Sequence, residues 1–206
     1  MTSLATTTTA HARFAAAVRR LAELSSTLES EDRVWEEAAS MTEAIADRLA
    51  SAPSSRPAGV DERSGFPRAF IERSPVSGKL NPHAPPLVLE PIEDGVAGIG
   101  VYGAAFQGAP GCVHGGHVAT AFDHVAGRVA AGLGTPVLTG KLSVRYLKPT
   151  RIGRPIRYEA RLRESRHRLV TVDCAAFDGT TKTATAEIVF LELPPAYFRE
   201  VIGGPS

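Results

Sequence analysis

The sequence predicts an α+β fold in which an antiparallel sheet packs on one long helix, preceded by a helical N-terminal extension. Three observations carry that expectation. Short apolar and β-branched runs recur between residues 87 and 193, separated by turn residues. A single strong helical pattern, over 114–133, interrupts them, and one helix is too few for the crossovers that parallel strands need. Residues 1–58 differ in texture, with a threonine-rich start followed by two stretches whose apolar residues recur at helical spacing.

Taken in order, 11–28 carries Phe14, Val18, Leu21 and Leu24, and 29–50 carries Val34, Ala38, Met41, Ile45 and Leu49. Both read as amphipathic helices. They suit either a hairpin packed on the main domain or its dimer, or a lid over a substrate groove. The stretch SAPSSRPAG, 51–59, reads as a linker, so the extension and linker occupy 1–58. An irregular lead-in follows over 59–85, punctuated by Pro67, Pro75, Gly78 and Pro82. The main domain is expected over 86–196, with a tail over 197–206. Its strands are expected at 87–90, 96–106, 136–147, 155–163, 169–177 and 183–193. Glu93-Asp94-Gly95 turns the first pair into a hairpin, and turns are expected at 149–153, 164–168 and Asp178-Gly179.

Composition narrows the function classes. A chain of 206 residues with 43% hydrophobic and 22% charged residues suits one ordered domain with an appendage. Lys plus Arg number 23 against 22 for Asp plus Glu, a net charge of +1, which counts against non-specific nucleic-acid binding. No run approaches the roughly 20 apolar residues that span a bilayer, so no membrane span is expected. The two cysteines, Cys112 and Cys174, form neither a disulfide scaffold nor a metal-ligand spacing, and a reducing cytoplasm is the simplest location.

The helix at 114–133 holds the chemistry. Val118, Phe122, Val125, Val129 and Leu133 share a bulky apolar face, and a flank of small residues (Gly116, Ala119, Thr120, Gly127, Ala130) surrounds Asp123. An unpaired buried carboxylate is costly. Asp123 is therefore exposed, paired with Arg128 or a histidine, or functional. Gly115 and Gly116 open the helix, where backbone N–H groups lack intrahelical partners and the dipole is positive. Such donors suit an oxyanion, although glycines there also suit a tight turn. Gly115 and Asp123 lie about 12 Å apart along a helix rising about 1.5 Å per residue. One reacting carbon cannot meet both, but an antiparallel second copy of the helix brings the Asp of one chain to the Gly of the other.

The stretch GAPGCVHGGHVATAFDHVAG, 108–127, resembles the signature of the hotdog-fold acyl-CoA thioesterases of the PaaI-type superfamily: a His-Gly-Gly turn opens a helix carrying an Asp nine positions after the His. The resemblance continues through LTGKLSVRYLKPTRIGRPI at 138–156 and spans roughly 74–193. It implies a hotdog fold and hydrolysis of an acyl-CoA to a carboxylic acid and coenzyme A, which is part of the substrate. No metal and no cofactor are implied. It also implies a homodimer or dimer of dimers with shared sites. Asp123 would be general base or nucleophile, Gly115 and Gly116 the amide donors, Thr139 a residue orienting the acid or its water, and His114 a support for the turn or the substrate carbonyl. Where many relatives carry Asn, this chain has Gly108.

Other residues of the chain offer alternative chemistry. His114, His117 and His124 do not make a compact metal-ligand set with Asp123. Cys112, near a helix start, is a further nucleophile candidate or simply a small packed residue. Arg145, Lys148 and Arg151, with Arg154, suit either coenzyme A phosphates or a solvated strand edge. The rival functions are a non-catalytic acyl-CoA binding or sensing module and an acyl-CoA hydratase or dehydratase. The Asp-and-His pattern of that last group is not found here.

Overall fold

The structure is a computed structural model that describes residues 9–53, 71–85 and 87–194. Most of the linker (54–59), the first part of the lead-in (59–70) and the tail (197–206) lie outside the described residues.

Helix α1 spans Ala10–Thr27 and α2 spans Asp32–Ala50. The Thr9 hydroxyl caps α1 by accepting from the Ala12 N–H at 3.2 Å, satisfying one of the donors every helix start leaves open. In α2, Asp32 in the first turn and Arg48 in the last complement the helix dipole. The two helices differ in how they meet the domain. Ala15 of α1 is fully buried, whereas α2 buries no residue.

Six strands follow: β1 (Val88–Ile92), β2 (Gly95–Val101), β3 (Val137–Tyr146), β4 (Pro155–Arg166), β5 (Leu169–Asp178) and β6 (Thr181–Glu192). They form one antiparallel sheet in the order β1-β2-β4-β5-β6-β3. Helix α3, Gly115–Ala131, lies across one face. Its Val118, Ala121, Phe122 and Val125 pack with Tyr158, Val170, Val172, Ile188 and Phe190 from the sheet into a single core. Among the described residues no helix is long and apolar enough to cross a membrane.

Strand order and helix position match the expected α+β architecture, and the boundaries shift for identifiable reasons. The strand expected over 96–106 ends at Val101, and Ala104–Phe106 forms a 3₁₀ turn instead. Glu23 of α1 takes the Ala104 and Ala105 N–H groups on its two carboxylate oxygens, at 2.7 and 3.1 Å. Those amides are thereby withdrawn from any ladder. The strand expected over 155–163 runs on to Arg166, because the β4–β5 connection is only His167-Arg168. Both residues have positive φ, 50° and 66°, as a two-residue hairpin turn requires. The apolar stripe of α3 is shorter than periodicity suggests: Val129 is half-buried and Leu133 is exposed beyond the helix end. Ala121, Ala126 and Ala130 fill the contact instead, letting the helix sit close to the sheet.

Candidate active site

The start of α3 is built from His114. Its backbone is extended, and its Nδ1 accepts from the Gly116 N–H at 3.0 Å. An accepting Nδ1 places the proton of the neutral ring on Nε2. The His114 carbonyl accepts from His117 at 2.9 Å and from Val118 at 3.4 Å. Of the amides in this turn, the Gly116 N–H is thus taken by the cap, while Gly115 N–H has no partner among the described residues. The pair of glycine donors expected from the sequence reduces to one open amide. His114 acts on the turn itself.

Tyr146, at the end of β3, reaches over this turn. Its hydroxyl donates to the Gly115 carbonyl at 2.7 Å. A Cβ at residue 115 would lie 3.1 Å from the Tyr146 ring and hydroxyl, which explains the glycine sterically. Sequence reasoning missed Tyr146, since nothing local ties it to a residue 31 positions away.

Asp123 lies on the flank of α3 facing β3, half-buried, and its Oδ1 accepts from the Thr139 hydroxyl at 2.7 Å. A break in strand register makes that contact. Thr139 pairs with Phe190 while Lys141 pairs with Val189, so Gly140 is an extra residue in β3. With strict alternation Thr139 would share the face of Lys141. The bulge shifts it to the helix-facing side, with Leu142 opposite Ile188 and Val144 opposite Ala186. The structure therefore joins Asp123 to Thr139, and not to Arg128 or a histidine.

The opposite flank of α3 is closed. His117 meets Phe106 edge-on with ring centroids 5.0 Å apart, and its ring lies 6.0 Å from that of His114. Burial, helped by His114, pushes the His117 pKa down. His124 is withdrawn further, and burial lowers its pKa to about 4, so it is neutral near pH 7. Its Nε2 is buried and makes no hydrogen bond. Among the described residues no three His, Cys, Asp or Glu side chains cluster as a metal site would require. Cys112 sits in a bridge to Arg151 ahead of the cap, with its thiol 3.6 Å from the Pro110 carbonyl.

Gly108 lies against the cap. A Cβ there would come 2.9 Å from the His114 Cα, so the loop as built has no room for an Asn. Gln107 does not replace it, because its Oε1 accepts from the Gly111 N–H at 2.8 Å and closes the loop. The basic run divides. Arg151 is ion-paired with the nearly buried Asp178 at 2.5 Å, and Arg154 lies 3.7 Å from the same carboxylate. The Arg151 guanidinium, aided by Arg154, holds the Asp178 carboxyl below the usual range. Arg145 and Lys148 are exposed and have no carboxylate partner among the described residues.

Part of this chain is similar to known proteins. The family profile described as "Thioesterase superfamily" matches residues 110–185, which run from the loop before His114 into β6. The fold is the α+β hotdog fold, and over these residues the chain is similar to the thioesterase superfamily. A crystal structure of a thioesterase superfamily protein superposes with a TM-score of 0.79 at 29% identity, covering 89% of this chain and 95% of that one. The hotdog likeness there includes the N-terminal extension, since such coverage exceeds the sheet and α3. Acyl-coenzyme A thioesterase THEM4 of Rattus norvegicus is 34% identical over 95 residues, and that of Mus musculus 32% over the same length. The matched part is 45% of this chain and 41% of each THEM4 protein, so the likeness covers less than half of these curated relatives.

Proposed function

We propose that the protein hydrolyses the thioester of an acyl-CoA, releasing a carboxylic acid and coenzyme A. The single observation that carries this reading is the Thr139–Asp123 hydrogen bond, 2.7 Å, on the same helix whose N-terminal Gly115 amide is open. In the proposed reaction the Gly115 N–H stabilises charge on the thioester oxygen. Asp123, held by Thr139, acts from the opposite side: as general base it takes a proton from the attacking water and returns it to the leaving sulfur, or as nucleophile it forms an acyl-Asp anhydride that water then hydrolyses. The leaving thiolate takes a proton and departs as coenzyme A. No metal and no redox cofactor enter these steps. Arg145 and Lys148 are the available cations for the coenzyme A phosphates.

Because the donor and the acid lie about 12 Å apart on one helix, each site takes the amide from one subunit and the Asp from its partner. The edge strand supports a homodimer. β3 ends the sheet with one side unpaired, and its Leu142 and Tyr146 are exposed on the helix-facing side. Such an edge calls for a covering partner. Purified protein assayed with a panel of acyl-CoAs and a thiol-reactive dye tests the activity. Mixing inactive Gly115→Pro and Asp123→Ala variants tests the shared site, because mixed dimers regain one intact centre. No rescue despite demonstrated subunit exchange counts against it.

One observation favours a second reading, that of an acyl-CoA binding or sensing module. Gly108 stands where many relatives carry Asn, and the His114 contact leaves no space for one. Acyl-CoA binding without turnover of any thioester selects this alternative.

A further inference from the structure

A cavity of about 600 Å³ opens between α1, the lead-in segment around residues 75–85, the end of β2 and the covered flank of α3. That size lies within the roughly 300–1,000 Å³ of small-molecule sites. Val76, Pro85, Tyr102 and Phe106 make much of its lining apolar, and Ala22 of α1 closes one wall. His117 and Thr120 bring α3 to it. Both lie within about one and a half turns of the open Gly115 amide, and the Thr120 hydroxyl donates to the Gly116 carbonyl at 2.8 Å. A carbonyl seated on that amide therefore has this cavity beside it, in the same subunit.

Arg19, Glu23, His83, His117 and Thr120 are the polar residues of the lining, and the Tyr102 hydroxyl is buried. Tyr102 is 1% exposed, and its hydroxyl makes no hydrogen bond of normal geometry. Its ring meets that of Tyr158 edge-on at 6.4 Å, and burial pushes its pKa up to about 12. Arg19 of α1 is half-buried. It donates to the Asn81 carbonyl at 2.8 Å, but no carboxylate pairs with it among the described residues. Glu23, one turn on, is occupied by Ala104 and Ala105. Partial withdrawal from water lowers the Arg19 pKa. A cation partly desolvated without a counter-ion favours an anionic ligand group.

We propose that this cavity is the acyl subsite, that α1 is its wall, and that Arg19 directs it toward acyl groups carrying a second carboxylate. The proposal deepens the thioesterase reading and rests on it. It assigns the N-terminal extension a role in substrate choice.

The test compares the parent with Ala22→Phe, Ala105→Leu and Arg19→Gln, each checked for a parent-like circular dichroism spectrum and Tm. kcat/KM is measured for acetyl-, hexanoyl- and octanoyl-CoA and for adipyl- and suberyl-CoA. Filling the cavity with either apolar variant is expected to cut octanoyl turnover about tenfold or more while acetyl turnover changes less than about twofold. Arg19→Gln is expected to cut adipyl and suberyl turnover about tenfold and leave hexanoyl and octanoyl within about twofold. Equal effects of the cavity-filling variants on acetyl and octanoyl overturn the subsite. An equal loss on every substrate in Arg19→Gln overturns the carboxylate preference and places Arg19 against coenzyme A. A parent that turns over no thioester defeats the catalytic reading but not the test, because binding of free adipate and hexanoate by NMR titration is then read. Adipate binding weakened by both Arg19→Gln and Ala22→Phe supports the cavity, and binding that both variants leave unchanged overturns it.

Discussion

The two flanks of α3 are finished in different ways. On the flank carrying His117 and His124 the chain covers itself: Phe106 meets His117 edge-on, α1 closes over the 3₁₀ turn, and the His124 Nε2 is buried. On the flank carrying Asp123 the covering is incomplete, because β3 is an edge strand whose Leu142 and Tyr146 face solvent. The first flank is packing that also encloses a cavity. The second presents a carboxylate in a fixed orientation with room beside it. The difference teaches that one helix can be packed shut on one side and left open on the other, so that its sides and not its segments divide the work.

The division would break most visibly at Asp123. Asp123→Asn keeps the side-chain shape and an oxygen for Thr139 but loses the anion. We expect kcat to fall about 10²–10⁴-fold with little change in substrate binding or Tm. Near-parent turnover would make the open flank structural as well. On the covered flank the expected effect is on stability. The folded chain holds His124 neutral down to about pH 4, whereas an unfolded chain takes up that proton near pH 6.5. The unfolded state therefore binds more protons in this window, and stability is lost as pH falls through it, by about 3 kcal/mol in all. Tm measured against pH should show that loss, and His124→Leu should flatten it; an unchanged slope would place the acid sensitivity elsewhere.

Smaller effects sharpen the contrast. Thr139→Val removes the hydrogen bond that orients Asp123, for an expected loss of about tenfold in kcat with Tm nearly constant. If Tm falls and kcat holds, Thr139 is only a sheet residue. Glu23→Ala frees two amides of the 3₁₀ turn and should cost about 1 kcal/mol by urea titration, together with faster hydrogen exchange in α1. Gly103→Ala should imitate it, since a Cβ there would strike the Glu23 carboxylate. Unchanged exchange in α1 would show that other contacts hold the helix.

Periodicity and turn chemistry were enough to read the strand–helix–strand order and the apolar face of α3 from the sequence. Spacing also isolated Asp123 and Gly115 as candidates, and the family resemblance added Thr139. What stayed hidden depends on contacts between distant residues. Gly140 inside a strand pattern hints at a bulge, but the face that Thr139 then occupies depends on the pairing with β6. The Glu23 clamp joins residues 81 positions apart and cuts short a strand that its own composition favours. The capping role of His114 depends on its ring orientation, which converts two expected donors into one. α1 and α2 read alike as amphipathic helices, and the Glu23 and Arg19 contacts together with the buried Ala15 set α1 apart from α2, which buries no residue.

Strand order has a consequence for how the site is born. β3 pairs with β6, while β4, β5 and β6 are joined through tight hairpins. A growing chain can thus zip β4 to β5 while β3 still waits for its only partner in the sheet. Local pairings form quickly and the distant closure comes late, after the loop entropy between residues 146 and 181 has been overcome. Asp123 is already on its helix by then, but Thr139 cannot be held beside it until β6 docks. The Thr139–Asp123 pair is a late product of folding, so ribosome-bound chains halted before β6 would carry every proposed catalytic residue and still lack the hydrogen bond that joins these two.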